Sequence, residues 1–316
     1  MDRNARIYLA GHNGMVGSAL WRLLQTQGFS KIITAARHEV DLRNTSAVET
    51  FFKRATPEYV IMAAAKVGGI NANRQSPAEF LYDNLMIQCN LIHQSYRSQV
   101  RQLVFLGSSC IYPRECPQPM REEYLLTGSL EPTNEGYALA KIAGLKMAQY
   151  YQRQYGLPCL CPMPCNLYGP KDSFDPNHSH VLTALVKKFV DAVDERKMEV
   201  TLWGTGIARR EFLHVDDLAK AVLFLMKEWP SPEIINVGSG RDLSIRELAE
   251  IIAEKTHYAG AINWNNSMPD GMLRKCLDVS KIQALGFNPE IDLSDGINQI
   301  ISEYRSYKSP ETCLPN

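Results

Sequence analysis

Tyr137 and Lys141 stand four positions apart in the run Tyr-Ala-Leu-Ala-Lys. On a helix, positions i and i+4 share one face, so the phenol and the ammonium are neighbours there. A free tyrosine ionises near pH ~10, too high for easy proton exchange at neutrality, and each unit of lowering corresponds to about 1.4 kcal/mol. The lysine cation, helped by a cofactor ribose, would stabilise the phenolate. Upstream, Ser108 and Ser109 close the apolar run 101–109. A serine hydroxyl at a strand end can hold a carbonyl oxygen while the tyrosine donates its proton. The chemistry these three types offer together is proton exchange at a ketone or alcohol oxygen.

Such an exchange needs a hydride source, and the N-terminus offers a site for one. Gly11-His12-Asn13-Gly14-Met15-Val16-Gly17 follows a short apolar run and opens a helical pattern. Glycine lets the backbone approach a pyrophosphate, and a helix N-terminus supplies free N–H groups with partial positive charge. An acid about 20 residues further on would bond a free ribose 2′-OH, whereas an arginine there would accept a 2′-phosphate. Arg37 stands at that distance with no acid at the strand end, which favours NADP(H) over NAD(H). Asp41 and Leu42 either border the adenine or belong to the loop that approaches the next helix.

These groups must be held by alternating elements. Strands are expected at 6–10, 31–36, 59–65, 101–109 and 160–164, with helices around 15–27, 45–54, 77–98 and 136–155 between them. Helical crossovers of that length are right-handed and give a parallel, doubly wound sheet with ligands at the carboxyl ends of its strands. The fold class expected is therefore α/β, a Rossmann-type doubly wound parallel sheet with a smaller C-terminal substrate-binding lobe. Residues 1–168 form the cofactor-binding domain, completed by later segments at about 205–240, and 169–316 form mainly the lobe. A helix is expected at about 181–195, a strand at 199–204, and the strand 234–238 returning to the sheet. Ser244 and Glu247 mark a capping box before an amphipathic run to 256.

Composition excludes other classes. A chain of 316 residues with 45% hydrophobic and 22% charged residues is an ordinary globular protein. Lys plus Arg and Asp plus Glu are both 34, so no global basic field exists for nucleic acid. The longest apolar stretch, 60–70, is too short to span a bilayer and is broken by Lys66. The N-terminus reads as a working strand and not a removable signal. Eight cysteines without a C-x-x-C pair read as reduced thiols of a cytoplasmic protein. Cys159, Cys161 and Cys165 read as a buried strand, and no metal is expected.

The order glycine loop, serine, tyrosine, lysine resembles the short-chain dehydrogenases/reductases. LGSSCIYP (106–113), EPTNEGYALAKIAG (131–144), MPCNLYGP (163–170) and REFLHVDD (210–217) look like the extended, sugar-nucleotide branch. Within it, AAAKVGGI (63–70), the cysteine of GSSCIYP, NHSH (177–180) and PDGMLRK (269–275) resemble the GDP-L-fucose synthase family. The resemblance runs from Arg6 to about Phe287 and implies a 3,5-epimerase/4-reductase that turns GDP-4-keto-6-deoxy-D-mannose into GDP-L-fucose. It implies Cys110 as base and His180 as acid of the epimerisation, and Ser108, Tyr137 and Lys141 in the reduction. NADP(H) would also touch Ala64, Leu106, Gly107, Pro164, Asn166, Leu167 and His180. Lys188, Trp203, Arg210, Asp270 and Lys275 fall at positions that bind the GDP-sugar. Relatives often have arginine where this chain has Lys188, which implies weaker bidentate phosphate binding here, and some have arginine where it has Asn13, which leaves Arg37 as the main 2′-phosphate contact. A homodimer through the helices 77–98 and 136–155 is implied as well.

Two rivals are weighed against this. Another nucleotide-sugar epimerase or reductase of the same branch would share the fold. A 4,6-dehydratase would carry carboxylates where this chain has Ser109 and Cys110. A non-catalytic NADP-binding protein would usually lack Tyr137 or Lys141, and both are present.

Overall fold

Short β-branched and aliphatic runs, each followed by an amphipathic helix, build the first half of the chain. The computed structural model describes residues 1–175, 179–229, 231–268 and 270–308. In order come β1 (Ile7–Ala10), α1 (Met15–Thr26), β2 (Ile32–Ile33), α2 (Thr45–Ala55), β3 (Tyr59–Met62), α3 (Ile70–Gln75), α4 (Pro77–Arg97), β4 (Gln102–Phe105), α5 (Glu135–Tyr155) and β5 (Cys159–Pro164). The second half contributes β6 (Asn166–Tyr168), α6 (Val181–Asp194), β7 (Glu199–Trp203), β8 (Arg209–His214), α7 (Val215–Glu228), β9 (Ile234–Val237), β10 (Asp242–Ser244), α8 (Ile245–Thr256), β11 (Ala261–Asn265), β12 (Arg274–Lys275), α9 (Ser280–Ala284) and α10 (Leu293–Lys308).

The main sheet runs β2-β1-β3-β4-β5-β9, and every pairing in it is parallel. This is the expected doubly wound α/β architecture. Both faces are covered by helices, so β1, β5 and β9 are buried at every residue. Strand order reverses between β1 and β3, which opens a crevice at their carboxyl ends.

The strands are shorter than expected at that edge. β3 stops at Met62 instead of residue 65, because β1 turns away at Gly11 and Ala63 makes the last bond, N–H to Ala10 O. Likewise β2 holds only Ile32–Ile33 of the expected 31–36. β4 ends at Phe105, so Ser108 and Ser109 lie beyond the strand; Ser109–Ile111 form a 3-10 turn. Each shortening frees backbone and side chains to line the crevice. α3 had no counterpart in the expected elements.

Of the segment 205–240, only Ile234–Val237 joins the main sheet. Arg209–His214 enters a second one, where β8 pairs β10 antiparallel and β12 and β6 parallel. β7 and β11 form a separate parallel pair. The capping box is present: Ser244 Oγ accepts from Glu247 N–H at 3.0 Å, and Glu247 Oε2 accepts from Ser244 N–H at 2.6 Å.

Two cores result. The first packs the main sheet against its helices. The second gathers Leu182, Val186 and Phe189 of α6, Leu248 and Ile252 of α8, and Ile297 and Ile300 of α10. Burying one such side chain is worth about 1.5–3 kcal/mol. The chain then crosses back: Leu277, Val279, Ile282 and Phe287 belong to the first core. Met120 N–H donates to Cys276 O at 2.7 Å and Asp278 N–H to Met120 O at 2.8 Å, fixing this return.

Candidate active site

A cleft of about 780 Å³ opens at the carboxyl edge of the main sheet. Gly11, Gly14, Met15 and Val16 floor one end, and Ser108, Cys110, Tyr137, Lys141, His180 and Lys275 line the other. Arg37, Asp41, Leu42, Ala64, Leu106, Gly107, Pro164, Asn166 and Leu167 complete the expected residues along its wall. His12, Asn13 and Gly17 stand outside the lining, as do Lys188, Trp203, Arg210 and Asp270.

The glycine loop fits a dinucleotide. Gly11 adopts φ +85°, and a Cβ there would sit 2.6 Å from the Ala64 backbone. A Cβ on Gly17 would fall 2.0 Å from Gly11 O, so Gly17 serves the close turn and not ligand contact. On Gly14 a Cβ would meet nothing nearer than Gly11 O at 3.6 Å and would fill the space a pyrophosphate takes. The first turn of α1 holds no acid and its cap residue, Gly14, has no side chain to bond the free N–H groups. These groups and the helix dipole remain available to an anion.

At the far end, Arg43 donates to Asp41 Oδ2 at 2.7 Å and Asp83 Oδ1 at 3.0 Å. Its side-chain and backbone hydrogen bonds push the Asp41 carboxyl down to about 2. Arg43 is therefore committed, whereas Arg37 makes no hydrogen bond or salt bridge with the described residues and is exposed at the cleft wall. The free guanidinium is the group that can receive a 2′-phosphate.

The reacting end is built around α5. Lys141 is only 5% exposed, and its Nζ donates to Leu106 O at 2.8 Å. The ammonium lies 5.8 Å from the centroid of the Tyr137 ring. Burial pushes Lys141 down to about 8, against the pull of the Cys110 charge. Tyr137 departs from expectation. Burial and then the Cys110 charge push its phenol up, and hydrogen bonding with Ser108 opposes them only in part. The helix periodicity placed the lysine correctly, but its cation faces the Leu106 carbonyl. The phenol consequently stays protonated, the state a proton donor needs.

Ser108 links the two halves of this centre. Its Oγ accepts from Cys110 N–H at 3.2 Å, and its side chain hydrogen bonds with Tyr137. The Cys110 sulfur is half-buried and accepts from Asn134 Nδ2 at 3.1 Å and Lys275 Nζ at 3.3 Å. Burial pushes the thiol up, but the Lys275 charge and the bonds with Ser108, Lys275 and Asn134 outweigh it and hold the thiol below its ordinary value.

His180 caps α6. Its Nδ1 lies 2.9 Å from Asp172 Oδ1; a carboxylate only accepts, so Nδ1–H donates and Nε2 is the free nitrogen. Asp172 is 8% exposed, and its other oxygen accepts from Thr183 Oγ1. The Asp172 bond, opposed by burial and aided by the charges of Asp172 and Cys110, raises the His180 pKa. Asn177 and His178 of NHSH, and Pro269 of PDGMLRK, lie outside the described residues.

The other expected substrate contacts gather in the second lobe. Lys188 Nζ donates to Thr201 O on β7, the strand that ends in Trp203, 55% exposed. Arg210 Nη2 donates to Asp270 O at 3.3 Å. Both Asp270 oxygens are already used, accepting from Thr205 N–H and Thr205 Oγ1 at 2.8 Å each. Asp270 thus pins the loop after β7, and its backbone carbonyl holds Arg210. Behind Arg210 on β8, Glu211 is fully buried. It accepts from Gly240 N–H at 2.7 Å and Leu277 N–H at 2.8 Å. Burial, only partly offset by those N–H groups, pushes its carboxyl up to about 7.

Asp172, Thr183, Asn134 and Glu211 were missed by sequence reasoning. Asp172 had a weak signal, an acid shortly before His180 in one polar loop; the others depend on tertiary contacts.

Comparisons place the chain among known proteins. The model of the NAD dependent epimerase/dehydratase family matches residues 7–238. GDP-L-fucose synthase 1 of Arabidopsis thaliana is 50% identical over 303 residues, 96% of this chain and 94% of its own length. GDP-L-fucose synthase of Escherichia coli (strain K12) is 47% identical over 301 residues, 92% of this chain and 94% of its own. Among solved structures, the GDP-mannoheptose C4 reductase MlghC from Campylobacter jejuni, with NADP bound, superposes with a TM-score of 0.88. It is 37% identical and covers 96% of this chain and 99% of its own.

Proposed function

Because this chain belongs to the NAD dependent epimerase/dehydratase family, and within it to the GDP-L-fucose synthases, we propose that its cleft converts GDP-4-keto-6-deoxy-D-mannose to GDP-L-fucose with NADPH. One observation carries the reading. A ketone-holding pair, Ser108 and Tyr137, shares its serine with a thiol held below its ordinary acidity range, Cys110. A reductase alone needs only the first pair.

The substrate ketone makes the hydrogens at C3 and C5 acidic, because the enolate charge spreads onto its oxygen. Ser108 and Tyr137 bond that oxygen and stabilise the developing charge. Cys110 removes the proton and His180, with Nδ1 fixed on Asp172, returns one from Nε2. NADPH, when bound, supplies hydride to C4. Tyr137 then protonates the C4 alkoxide. Gly14 and the first turn of α1 would hold the pyrophosphate of the cofactor, Arg37 its 2′-phosphate, and Lys141 its nicotinamide ribose. Arg210 and Lys188 would face the GDP diphosphate, with Trp203 as a platform for guanine.

The direct test is to incubate the protein with GDP-4-keto-6-deoxymannose and either NADPH or NADH and identify the sugar. GDP-L-fucose is expected, with NADPH preferred. Arg37→Ala is expected to erase that preference mainly through a KM for NADPH raised about tenfold, the loss of one charge-assisted contact of about 1.5 kcal/mol. A product other than the fucose configuration would overturn the reading.

Asp172→Asn tests the histidine. The acid must be protonated, so epimerisation falls as pH rises through the His180 pKa. Asp172 raises that pKa; without the carboxylate the alkaline limb moves to lower pH. A limb that stays in place in a pH series would remove Asp172 from this role.

Pairing of two copies through α4 and α5 is supported by Tyr82, Leu139 and Tyr150, all exposed on those helices. A monomeric mass by light scattering would count against it. A cytoplasmic location agrees with the seven free cysteines among the described residues. No helix among the described residues is long and apolar enough to cross a membrane.

A further inference from the structure

Lys275 reaches the site by an indirect route. β12 holds two residues, and its register on β8 sets Lys275 beside Arg210. The next two residues are anchored from behind. Cys276 N–H donates to Gln118 Oε1 at 3.1 Å, and Leu277 N–H to the buried Glu211 carboxyl at 2.8 Å. Among the described residues the half-buried Lys275 ammonium has no carboxylate partner; its one hydrogen bond goes to the Cys110 sulfur. An ammonium has donors only, so the sulfur accepts. Asn134 brings a second donor to the same atom, and its Oδ1 is left buried without a partner. Both groups thus present hydrogens to one sulfur.

We propose that Lys275 and Asn134 are positioning residues that keep Cys110 as a thiolate in the resting protein, so that the base exists before substrate arrives. The proposal rests on the reading of Cys110 as the epimerisation base. It gives Lys275 a task besides the substrate contact that the family resemblance implies.

The wider surroundings agree. Besides Lys275, the groups in electrostatic reach of Cys110 are Tyr137 and Lys141 from α5, His180 from the cap of α6, and Arg210 from β8. Three of these four are cationic or become so, and the fourth is a neutral phenol. Asp172, the acid beside His180, is saturated by His180, Ser173 N–H and Thr183. Among the seven described cysteines, Cys110 is the one whose pKa is lowered; burial raises Cys89, Cys116, Cys159, Cys161, Cys165 and Cys276.

The test measures alkylation, which needs thiolate and no turnover. The full chain is treated with iodoacetamide across a pH series, and modification of the Cys110 peptide is followed by mass spectrometry. Wild type is expected to show a midpoint below the ~8.5 of a free thiol. Lys275→Met is expected to raise that midpoint by about one unit, which slows the reaction up to about tenfold at pH values below the wild-type midpoint. Lys275→Arg is expected to restore most of the rate, and Asn134→Ala to shift the midpoint in the same direction by less. The exposed Cys89 reports on itself in every sample and is expected to react alike throughout. Melting temperature and NADPH binding identify any variant that has lost its fold; should Lys275→Met do so, Asn134→Ala and Lys275→Arg still decide. A wild-type midpoint at the ordinary thiol value, or one that none of the folded variants moves, would overturn the proposal. Product analysis is separate: a low midpoint with an unepimerised product would sink the function assigned to Cys110 and spare its ionisation state.

Discussion

Tyr137→Phe is expected to lower NADPH oxidation in the presence of the keto-sugar by about 10²–10⁴-fold, the usual contribution of a positioned general acid. The substitution removes one oxygen and keeps the ring. The half-buried packing of α5 and the 5.8 Å approach of the Lys141 ammonium to the ring persist. Ser108 loses a hydrogen-bond partner, and the C4 alkoxide loses its proton source. NADPH affinity, read by nucleotide fluorescence, is expected to stay within about twofold, because Gly14, Arg37 and Lys141 remain. Absorbance at the nicotinamide band gives the rate. Turnover at the wild-type level would remove Tyr137 from the mechanism. The raised pKa of the phenol sharpens the expectation, since a protonated tyrosine is what the proposed reduction would consume.

Cys110→Ser has a different signature. A serine hydroxyl ionises far above a thiol, so the donors Lys275 and Asn134 have no accessible anion to hold. Proton removal at C3 and C5 is expected to fall by about 10²–10⁴-fold. Ser108 and Tyr137 are untouched, so hydride transfer to the unepimerised ketone becomes the competing outcome. The predicted product is a GDP-6-deoxyhexose with C3 and C5 in their original configuration. In heavy water, wild type is expected to place deuterium at both carbons and the variant at neither. Deuterated GDP-L-fucose formed at the normal rate by Cys110→Ser would mean that the base lies elsewhere.

Much of this site was legible in the sequence because its parts are local. The glycine loop works through backbone geometry over seven positions, and Tyr137 meets Lys141 through helix periodicity alone. The strands of the main sheet announced themselves as apolar runs between long helices. What escaped depends on where the chain ends up. The early stop of β3 at Met62 follows from the turn of its neighbour β1, which no run of alanines reveals. Ser108 was placed at a strand end and stands beyond it, in the bend that lets it reach Cys110 and Tyr137 together. The burial that raises the Tyr137 pKa is a tertiary property, and helix spacing suggested the opposite direction. Asp270 was assigned to substrate through its family motif, yet both its oxygens hold Thr205. The spacing of Asp172 and His180 is only a weak signal, and that the carboxylate meets the imidazole is a tertiary fact.

The return of residues 277–287 to the first core has a consequence for engineering by recombination. The ammonium on the reactive sulfur is encoded late in the chain, yet it is secured by packing among residues encoded early. A chimera spliced at the halfway point, taking its front from one relative and its rear from another, would mismatch Leu277, Val279 and Ile282 with the helices and strands they fill. Crossover sites that keep this stretch together with the front half preserve the contact between Lys275 and the Cys110 sulfur, and those that divide them put it at risk even when each half folds.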